Sequence, residues 1–404
     1  MKIPLVTLVS VVLSLGCPDR PAPDGESAAM EAQLGDALNR FAFRVYRQIA
    51  AQDGNVTGSP LSLHLALLMA FEGAQENTAA ELAKVLCLPK DTKGLKRAAR
   101  TMIARMTGMK GDGFNLRIAN GLWGQTGHPF DPGYVNTIAN TYAAEIHHQD
   151  FVGASEASRL AINAAVAKVT NERIKDLIPK GLVDASTRLV LTNAIWFKAK
   201  WMAPFDKRWT KPAPFHLADG STHDVSTMRD TGPRGYYEDD RVQVLELAYR
   251  GGEVAMDIVL PKAGQDLSTL ERDLSPELWK QWTAGITSRT VGVHLPRFKT
   301  TYGGSMIKTL KAMGLSDALN AGRADFSGID GGAGHLYISE VIHRTWVQVD
   351  EEGTEAAAAT AVVLKLGAAM RKPVEFKADR PFLFAIRDTK SGALLFLGRV
   401  ADPR

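Results

Sequence analysis

Histidine and cysteine are the residue types in this chain best suited to chemistry, and their spacing argues against catalysis. The nine histidines form no HExxH pair, and His147 and His148 are adjacent, so they cannot share a helical face as metal ligands four apart would. Neither Cys17 nor Cys87 belongs to a CxxC pair, and no GxSxG elbow is present. The glycine groups at Gly111 to Gly113 and Gly331 to Gly334 lack the spacing of a dinucleotide or phosphate loop. No two carboxylates are placed by the sequence in one cleft. The pattern argues against an enzyme and calls for no metal and no cofactor.

A different capability resides in residues 350 to 372. The stretch opens with Asp350, Glu351 and Glu352, passes Gly353, runs through Thr354-Glu355-Ala356-Ala357-Ala358-Ala359-Thr360, and ends apolar and basic. Four alanines favour helix, while Thr360, Val362 and Val363 favour an extended chain. Strands are expected before it, at Trp346 to Val349, and after it, at Pro381 to Ile386. The roughly thirty residues between them are many for a plain connection, and a loop of that length is usually functional or disordered. Extended, the segment puts Thr354, Ala356, Ala358, Thr360, Val362 and Leu364 on one uncharged face and leaves Glu355 on the other. Small side chains at the leading end could slide between existing strands without overpacking. An alanine-rich surface linker or frayed helix is the alternative reading of the same residues.

The elements that must position this stretch come from a chain of 404 residues, 45 % hydrophobic, with net charge +4. That length allows two ordinary domains or one large one, and the charge balance does not call for nucleic acid. At the amino terminus Lys2 precedes an apolar run from Ile3 to Leu15, the order of a secretory signal and too short for a comfortable membrane span. Leu13-Ser14-Leu15-Gly16-Cys17 resembles a bacterial lipoprotein processing site, although Ser14 stands where leucine is commoner. The expectation is a signal peptide over 1–16, lipidation at Cys17, a flexible tether over 17–33 and a folded domain over 34–404. The protein would then be exported, either as a membrane-anchored lipoprotein in the periplasm or at the cell surface, or as an extracellular protein if the signal is simply removed. With Cys17 lipidated, only Cys87 remains and no internal disulfide can form. Between Leu86 and Leu88 it reads as a buried, inert thiol.

Helical spacing predicts helices over Leu34 to Ala51, after Ser59-Pro60 through Phe71, and over Thr78 to Leu88, the last with a Thr78/Glu81 capping box. Lys93, Lys96, Arg97, Arg100 and Arg105 follow on another helix. Pairs four apart converge on one face that could hold an acidic polysaccharide, a solvated surface being the plainer reading. Strands are expected from Leu116 and over Arg188 to Phe197, with helices between them at Tyr134 to Tyr142 and Ala161 to Leu177. The second strand is apolar on both faces except for Thr192 and Asn193, which need internal partners. Val242 to Tyr249 and Glu253 to Leu260 read as a hairpin turning at Arg250-Gly251-Gly252. A helix over Leu267 to Trp282, a strand over Val291 to Phe298 and a helix from Ser305 to Met313 complete the count. Helices dominate the first half and strands the second without regular alternation, which indicates an α+β fold.

Six blocks, in this order and spacing, resemble the serpin family from about residue 34 onward. They are Asn55-Val56-Thr57-Gly58-Ser59-Pro60-Leu61-Ser62, Gly73-Ala74-Gln75-Glu76-Asn77-Thr78, Leu191-Thr192-Asn193-Ala194-Ile195-Trp196-Phe197-Lys198, Leu295-Pro296-Arg297-Phe298, Ala324-Asp325-Phe326-Ser327-Gly328 and Glu351-Glu352-Gly353-Thr354-Glu355-Ala356-Ala357-Ala358-Ala359-Thr360. The resemblance implies a single domain of three β-sheets and about nine helices with an exposed reactive-centre loop. In inhibitory members a protease cuts that loop and is held as its acyl-enzyme when the freed loop inserts into the central sheet. Ser59, Ser62, Asn193 and His343 would form the shutter beneath the parting strands, Trp196 would mark the breach, and Glu351 to Thr360 the hinge.

Four features depart from the family pattern: Glu76 where glycine is usual, Ala165 where tryptophan is common, the amino-terminal extension, and a reactive loop a few residues longer than a common inhibitory length. Counting from the hinge places the cut at Gly367-Ala368, suited to elastase-like or subtilisin-like serine proteases. Counting back from Arg380-Pro381-Phe382 gives Met370-Arg371, and cuts after Arg371 or Lys365 would suit trypsin-like enzymes. Papain-like cysteine proteases are further candidate targets. The expected protein is a monomeric serine protease inhibitor, with a non-inhibitory structural or ligand-binding protein of the same fold as the alternative.

Overall fold

The computed structural model describes residues 25–108, 114–332, 336–354 and 372–404. The expected signal peptide over 1–16 and Cys17 lie outside them. Helix α1 (Gly25–Ile49) leads through β1 (Val56–Gly58) into α2 (Pro60–Phe71), α3 (Glu76–Val85) and α4 (Leu95–Gly108). Strand β2 (Phe114–Gln125), α5 (Pro132–Tyr142), β3 (Glu145–Gln149) and α6 (Phe151–Val169) precede β4 (Leu189–Lys200). Next come β5 (Lys211–His216), β6 (Thr222–Glu238), β7 (Val242–Ala248), β8 (Val254–Pro261), α7 (Leu267–Asp273), α8 (Pro276–Ala284), β9 (Thr287–Pro296), β10 (Phe298–Ser305), α9 (Ile307–Ala312) and α10 (Ser327–Asp330). The chain closes with β11 (Ile338–Asp350), β12 (Gly353–Thr354), β13 (Val374–Lys377), β14 (Phe382–Asp388) and β15 (Leu394–Val400).

One sheet has the order β10-β11-β12-β4-β2-β3, and the remaining strands run β1-β15-β14-β8-β7-β6-β9-β13 with β5 on β6. Two of the three expected sheets are thus joined, because β6 is continuous: residues 227–236 pair with β9 and residues 235–238 with β7. Helix α2 explains why a strongly apolar segment was needed, since Pro60 through Ala70 are buried on every side. A helix apolar all round belongs at the centre of a domain, and its neighbours there include β4 and β15.

Several local expectations change on folding. Part of the presumed tether, residues 25–33, belongs to α1. Met30 packs against the core, and Glu31 Oε1 accepts from Arg105 Nη2 at 2.8 Å, so this end of the helix has partners a free linker would lack. The Thr78/Glu81 capping box does not form: Thr78 Oγ1 accepts from Asp325 N, while Glu81 accepts from Ser316 N and Asp317 N. Tertiary donors outcompete the local ones. Glu76 adopts φ 45°, the left-handed region where glycine costs nothing. The helix expected over 267–282 is two helices, broken where Ser275 caps the second and Pro276 opens it. Cys87, expected buried, is half-buried at φ 57° beyond α3, with an Arg44 guanidinium nitrogen 3.5 Å from its sulfur.

Candidate functional site

The central sheet is closed along most of its length and wedged open at one end. Strands β11 and β4 pair directly and in parallel from Ile338 opposite Leu189 to Trp346 opposite Trp196. Beyond that point β12 enters between them, with Thr354 opposite both Val349 and Ala199, and Gly353 opposite Asp350 and Lys200. The hinge therefore already supplies the first two residues of an inserted strand. Trp196 stands where the direct pairing ends, the place assigned to the breach.

Local chemistry accounts for the wedge. Gly353 has φ 153°, and a Cβ there would lie 1.9 Å from Ala199 O and 2.7 Å from Lys200 Cα, so the close backbone approach requires glycine. Thr354 is fully buried, and its hydroxyl lies 2.7 Å from Tyr249 OH. The Tyr249 ring stacks on Trp201 with centroids 4.5 Å apart.

Before the hinge, the turn is tied down by its backbone and its acids. Trp201 N donates to Glu352 O and Phe205 N to Glu351 O, each at 2.8 Å, and Trp201 Nε1 donates to Asp350 O at 2.9 Å. Glu351 Oε1 accepts from Arg297 Nε at 2.8 Å and from Thr210 Oγ1, while Glu352 Oε1 accepts from Lys207 Nζ at 2.7 Å. Burial alone would raise the Glu351 carboxyl, but the hydrogen bonds from Arg297 and Thr210 outweigh it and hold it below the usual range. Asp350, with burial dominant, is pushed up. Residues 350–352 are a fixed pivot from which a strand can be paid into the sheet.

Beneath the closed seam lies a rung of polar side chains. His343, Asn193 and Asn120 are register partners across β11, β4 and β2. Asn193 Oδ1 accepts from His343 Nδ1 across the seam, and Asn193 Nδ2 donates to Ser62 Oγ and Asn120 Oδ1. His343 Nε2 accepts from Ser59 N at 3.0 Å, which assigns the ring proton to Nδ1. Ser59 Oγ donates to Leu395 O at 2.7 Å and accepts from Ser62 N, capping α2. Burial drives the His343 pKa down to about 4, so the ring is neutral and able to accept. The Asn193 partners demanded by the sequence are supplied by this rung. Thr192, on the opposite face, accepts from Trp123 Nε1 at 2.8 Å.

The structure thus brings Ser59, Ser62, Asn193 and His343 together, with Trp196, Glu351, Gly353 and Thr354 at the upper end of the same seam. Glu355, Ala356, Ala357, Ala358, Ala359, Thr360, Lys365, Gly367, Ala368, Met370 and Arg371 lie outside the described residues. Asn120, Tyr249, Trp201, Thr210 and Lys207 complete the site and were not singled out from sequence as part of it. Asn120 alone left a trace, as the polar residue in an apolar alternation from Leu116 to Leu122. Of the basic stretch, Lys93, Lys96, Arg97 and Arg100 are exposed on or just before α4, and Lys96 pairs with Glu72 at 3.0 Å. Arg105 turns inward to Glu31 and Asp388. Among the described residues no group of three or more His, Cys, Asp or Glu side chains is placed to hold a metal ion.

Between β11 and β4 the sheet thus takes in residues 353–354 of its own chain above a rung of buried polar side chains. Residues 36–403 match the family model described as Serpin (serine protease inhibitor). The chain belongs to the serpin family. It is 38 % identical over 376 residues to an uncharacterized serpin-like protein of Thermococcus kodakarensis, covering 93 % of this chain and 87 % of that one. It is 39 % identical over 382 residues to the leukocyte elastase inhibitor of Equus caballus, covering 92 % and 100 %. Among solved structures, native protease nexin-1 with heparin superimposes with a TM-score of 0.84 at 26 % identity, covering 92 % of this chain and all of that one.

Proposed function

We propose that this chain inhibits serine proteases as a suicide substrate, its loop being cut and then drawn into the central sheet with the acyl-enzyme attached. One observation carries the reading: Gly353 and Thr354 occupy the top of a seam whose strands pair directly below them. A strand continuing from Thr354 keeps the alternation and turns Ala356, Ala358, Thr360 and Val362 toward the core, a face free of charge. About fourteen extended residues cover roughly 45 Å, enough to carry a tethered enzyme most of the way along a domain. The driving energy is conformational, held in a persistent state that lacks one strand of its most stable sheet.

The cut at Gly367-Ala368 matches elastase-like or subtilisin-like enzymes, and the similarity to leukocyte elastase inhibitors supports an elastase-like target. Met370 would suit an apolar pocket, Arg371 or Lys365 a trypsin-like one, and papain-like cysteine proteases are a further class. Incubation with a protease panel is expected to give an SDS-resistant complex, and the cut protein is expected to melt at least about 10 °C higher than the intact one. Loop cleavage by every enzyme without complex and without a rise in Tm would establish the non-inhibitory alternative. Mass spectrometry of the small carboxy-terminal fragment identifies the bond.

The exposed cations Lys93, Lys96, Arg97 and Arg100 support binding of an acidic polysaccharide on α4 and the turn before it. Retention on an anionic-sugar column should fall with salt and be reduced in Lys93→Ala/Arg100→Ala. Unchanged retention in that variant, or none in the parent, removes this part of the reading.

A further inference from the structure

At Gly235 two neighbouring strands part. Residues 235–238 of β6 pair with residues 243–246 of β7, while the other edge of β6 stays paired with β9 over residues 227–236. Beyond Glu246 the end of β7 turns to the end of β4: Tyr249 bridges Trp201, and Met202 N donates to Ala248 O at 2.8 Å. Between β6 and this junction lies a cleft of about 170 Å³, whose lining includes Trp201, Met202, Gly235, Glu246, Leu247 and Ser288. The size suits one small ring, since a cavity of about 150 Å³ holds benzene.

Charge at the Glu246 end of this cleft is out of balance. Glu246 and Asp257 are register partners across β7 and β8, and Arg387 of β14 bonds both, through Nη2 to Glu246 Oε2 and through Nε to Asp257 Oδ2 at 2.6 Å. Two carboxylates share one guanidinium. Asp257 is fully buried, and its Oδ1 has no hydrogen-bond partner among the described residues. Burial pushes its carboxyl up to about 7 although Arg387 pulls the other way, so the single guanidinium does not satisfy both acids. Glu246 Oε1 lies over Gly235, where a Cβ would sit 2.7 Å from it, and the glycine leaves that oxygen its place at the cleft wall. Among the described residues the hydrogen-bond partner of Glu246 is Arg387, on Oε2. Arg234, which also lines the cleft, pairs with Asp230 and donates from Nη1 to Pro233 O at 2.9 Å, so its charge is matched within β6. An ionised carboxylate accepts on both oxygens, and Oε1 is the one a ligand cation can reach.

We propose that this cleft binds a small organic cation, a primary ammonium on a compact apolar body, with the ammonium donating to Glu246 Oε1 and the body resting against Trp201, Met202 and Leu247. The site does not depend on the inhibitory reading above. The test titrates the full uncut protein with benzylamine at pH 8 and constant ionic strength, where the amine is protonated and Asp257 is mostly ionised, and follows calorimetry and tryptophan fluorescence. Saturable binding is expected with a Kd of about 1 mM or lower. Benzyl alcohol, which has the same shape without the charge, should bind about tenfold or more weakly. Glu246→Gln, whose amide oxygen can still accept from Arg387, should lower the affinity for benzylamine about tenfold or more. Ser288→Phe, which fills the mouth from an exposed position, should abolish binding. Both variants are checked for unchanged far-UV circular dichroism. The alcohol comparison and Ser288→Phe leave the buried charges untouched, so they decide the outcome even where Glu246→Gln is unstable. Equal binding of amine and alcohol, or full affinity for the amine in folded Glu246→Gln, overturns the ammonium assignment. Absence of saturable binding, or binding unchanged in Ser288→Phe, overturns the site.

Discussion

Thr354→Arg is expected to turn the protein from a trap into a substrate, with the loop still cut but SDS-resistant complex reduced about 100-fold or more. The side chain at this position is fully buried on the inner face of the sheet, its hydroxyl against Tyr249. The side-chain partner of that position among the described residues is the neutral Tyr249 hydroxyl, and an unpaired buried charge costs several kcal/mol. About 3 kcal/mol suffices for a 100-fold shift between capture and release of the acyl-enzyme. Thr354→Val, which keeps the shape and loses only the hydroxyl, should cost about 1 kcal/mol and still trap. The comparison is made by densitometry of complex against cut inhibitor at increasing molar ratio. Equal trapping by Thr354→Arg and the parent would mean that the hinge does not enter the sheet as its first two residues indicate.

Acidification is expected to loosen the closed sheet through His343, by about 3 kcal/mol between pH 6.5 and pH 4. An unfolded imidazole titrates near 6.5, whereas burial holds this one at about 4. Between those values the unfolded chain takes up a proton that the native chain refuses, so stability is fully present above pH 6.5 and is lost as the pH falls toward 4. Below that the contribution is spent. A protonated ring can no longer accept from Ser59 N, so the fastening beneath the seam fails with it. His64, buried in α2 and also lowered to about 4 by burial, contributes in the same direction. Urea unfolding of the parent and of His343→Gln at pH 7, 5.5 and 4 separates the two: the variant should be weaker at neutral pH and lose about 3 kcal/mol less on acidification. Parallel pH profiles for the two proteins would count against the assignment.

Much of the site was legible because its demands are local. The Asp350 to Thr354 transition from acids through glycine to a small residue marks a pivot in any fold, and Ser59-Pro60 announces a capped helix. The apolar run over Arg188 to Phe197 identified a strand buried on both faces, and its polar pair required partners. Glycine at 251 and 252 set the β7 to β8 turn, with φ 92° and 73°.

Other features had no such local cause. Strand β13 went unrecognised because Val374 to Lys377 is only four residues long and gains its place by pairing with β9. The helix expected to continue to Leu177 stops at Val169, where Asn171 and Glu172 turn left-handed and send the chain across the sheet. Thr78 and Glu81 had the spacing of a cap and were claimed by distant backbone donors instead.

Composition and periodicity therefore determined by themselves an α+β fold with a small-residue stretch suited to a sheet interior, while the family was read from the resemblance of six blocks in their order. Tertiary structure alone decided that Gly353 and Thr354 already sit in the seam, that Asn120 joins His343 and Asn193, and that the α6 to β4 connection packs over β4 and β11. The reason is physical: alternation along one strand says which face a residue takes, but the partner on that face is set by register between segments more than a hundred residues apart, as in the pairing of Asn193 with His343.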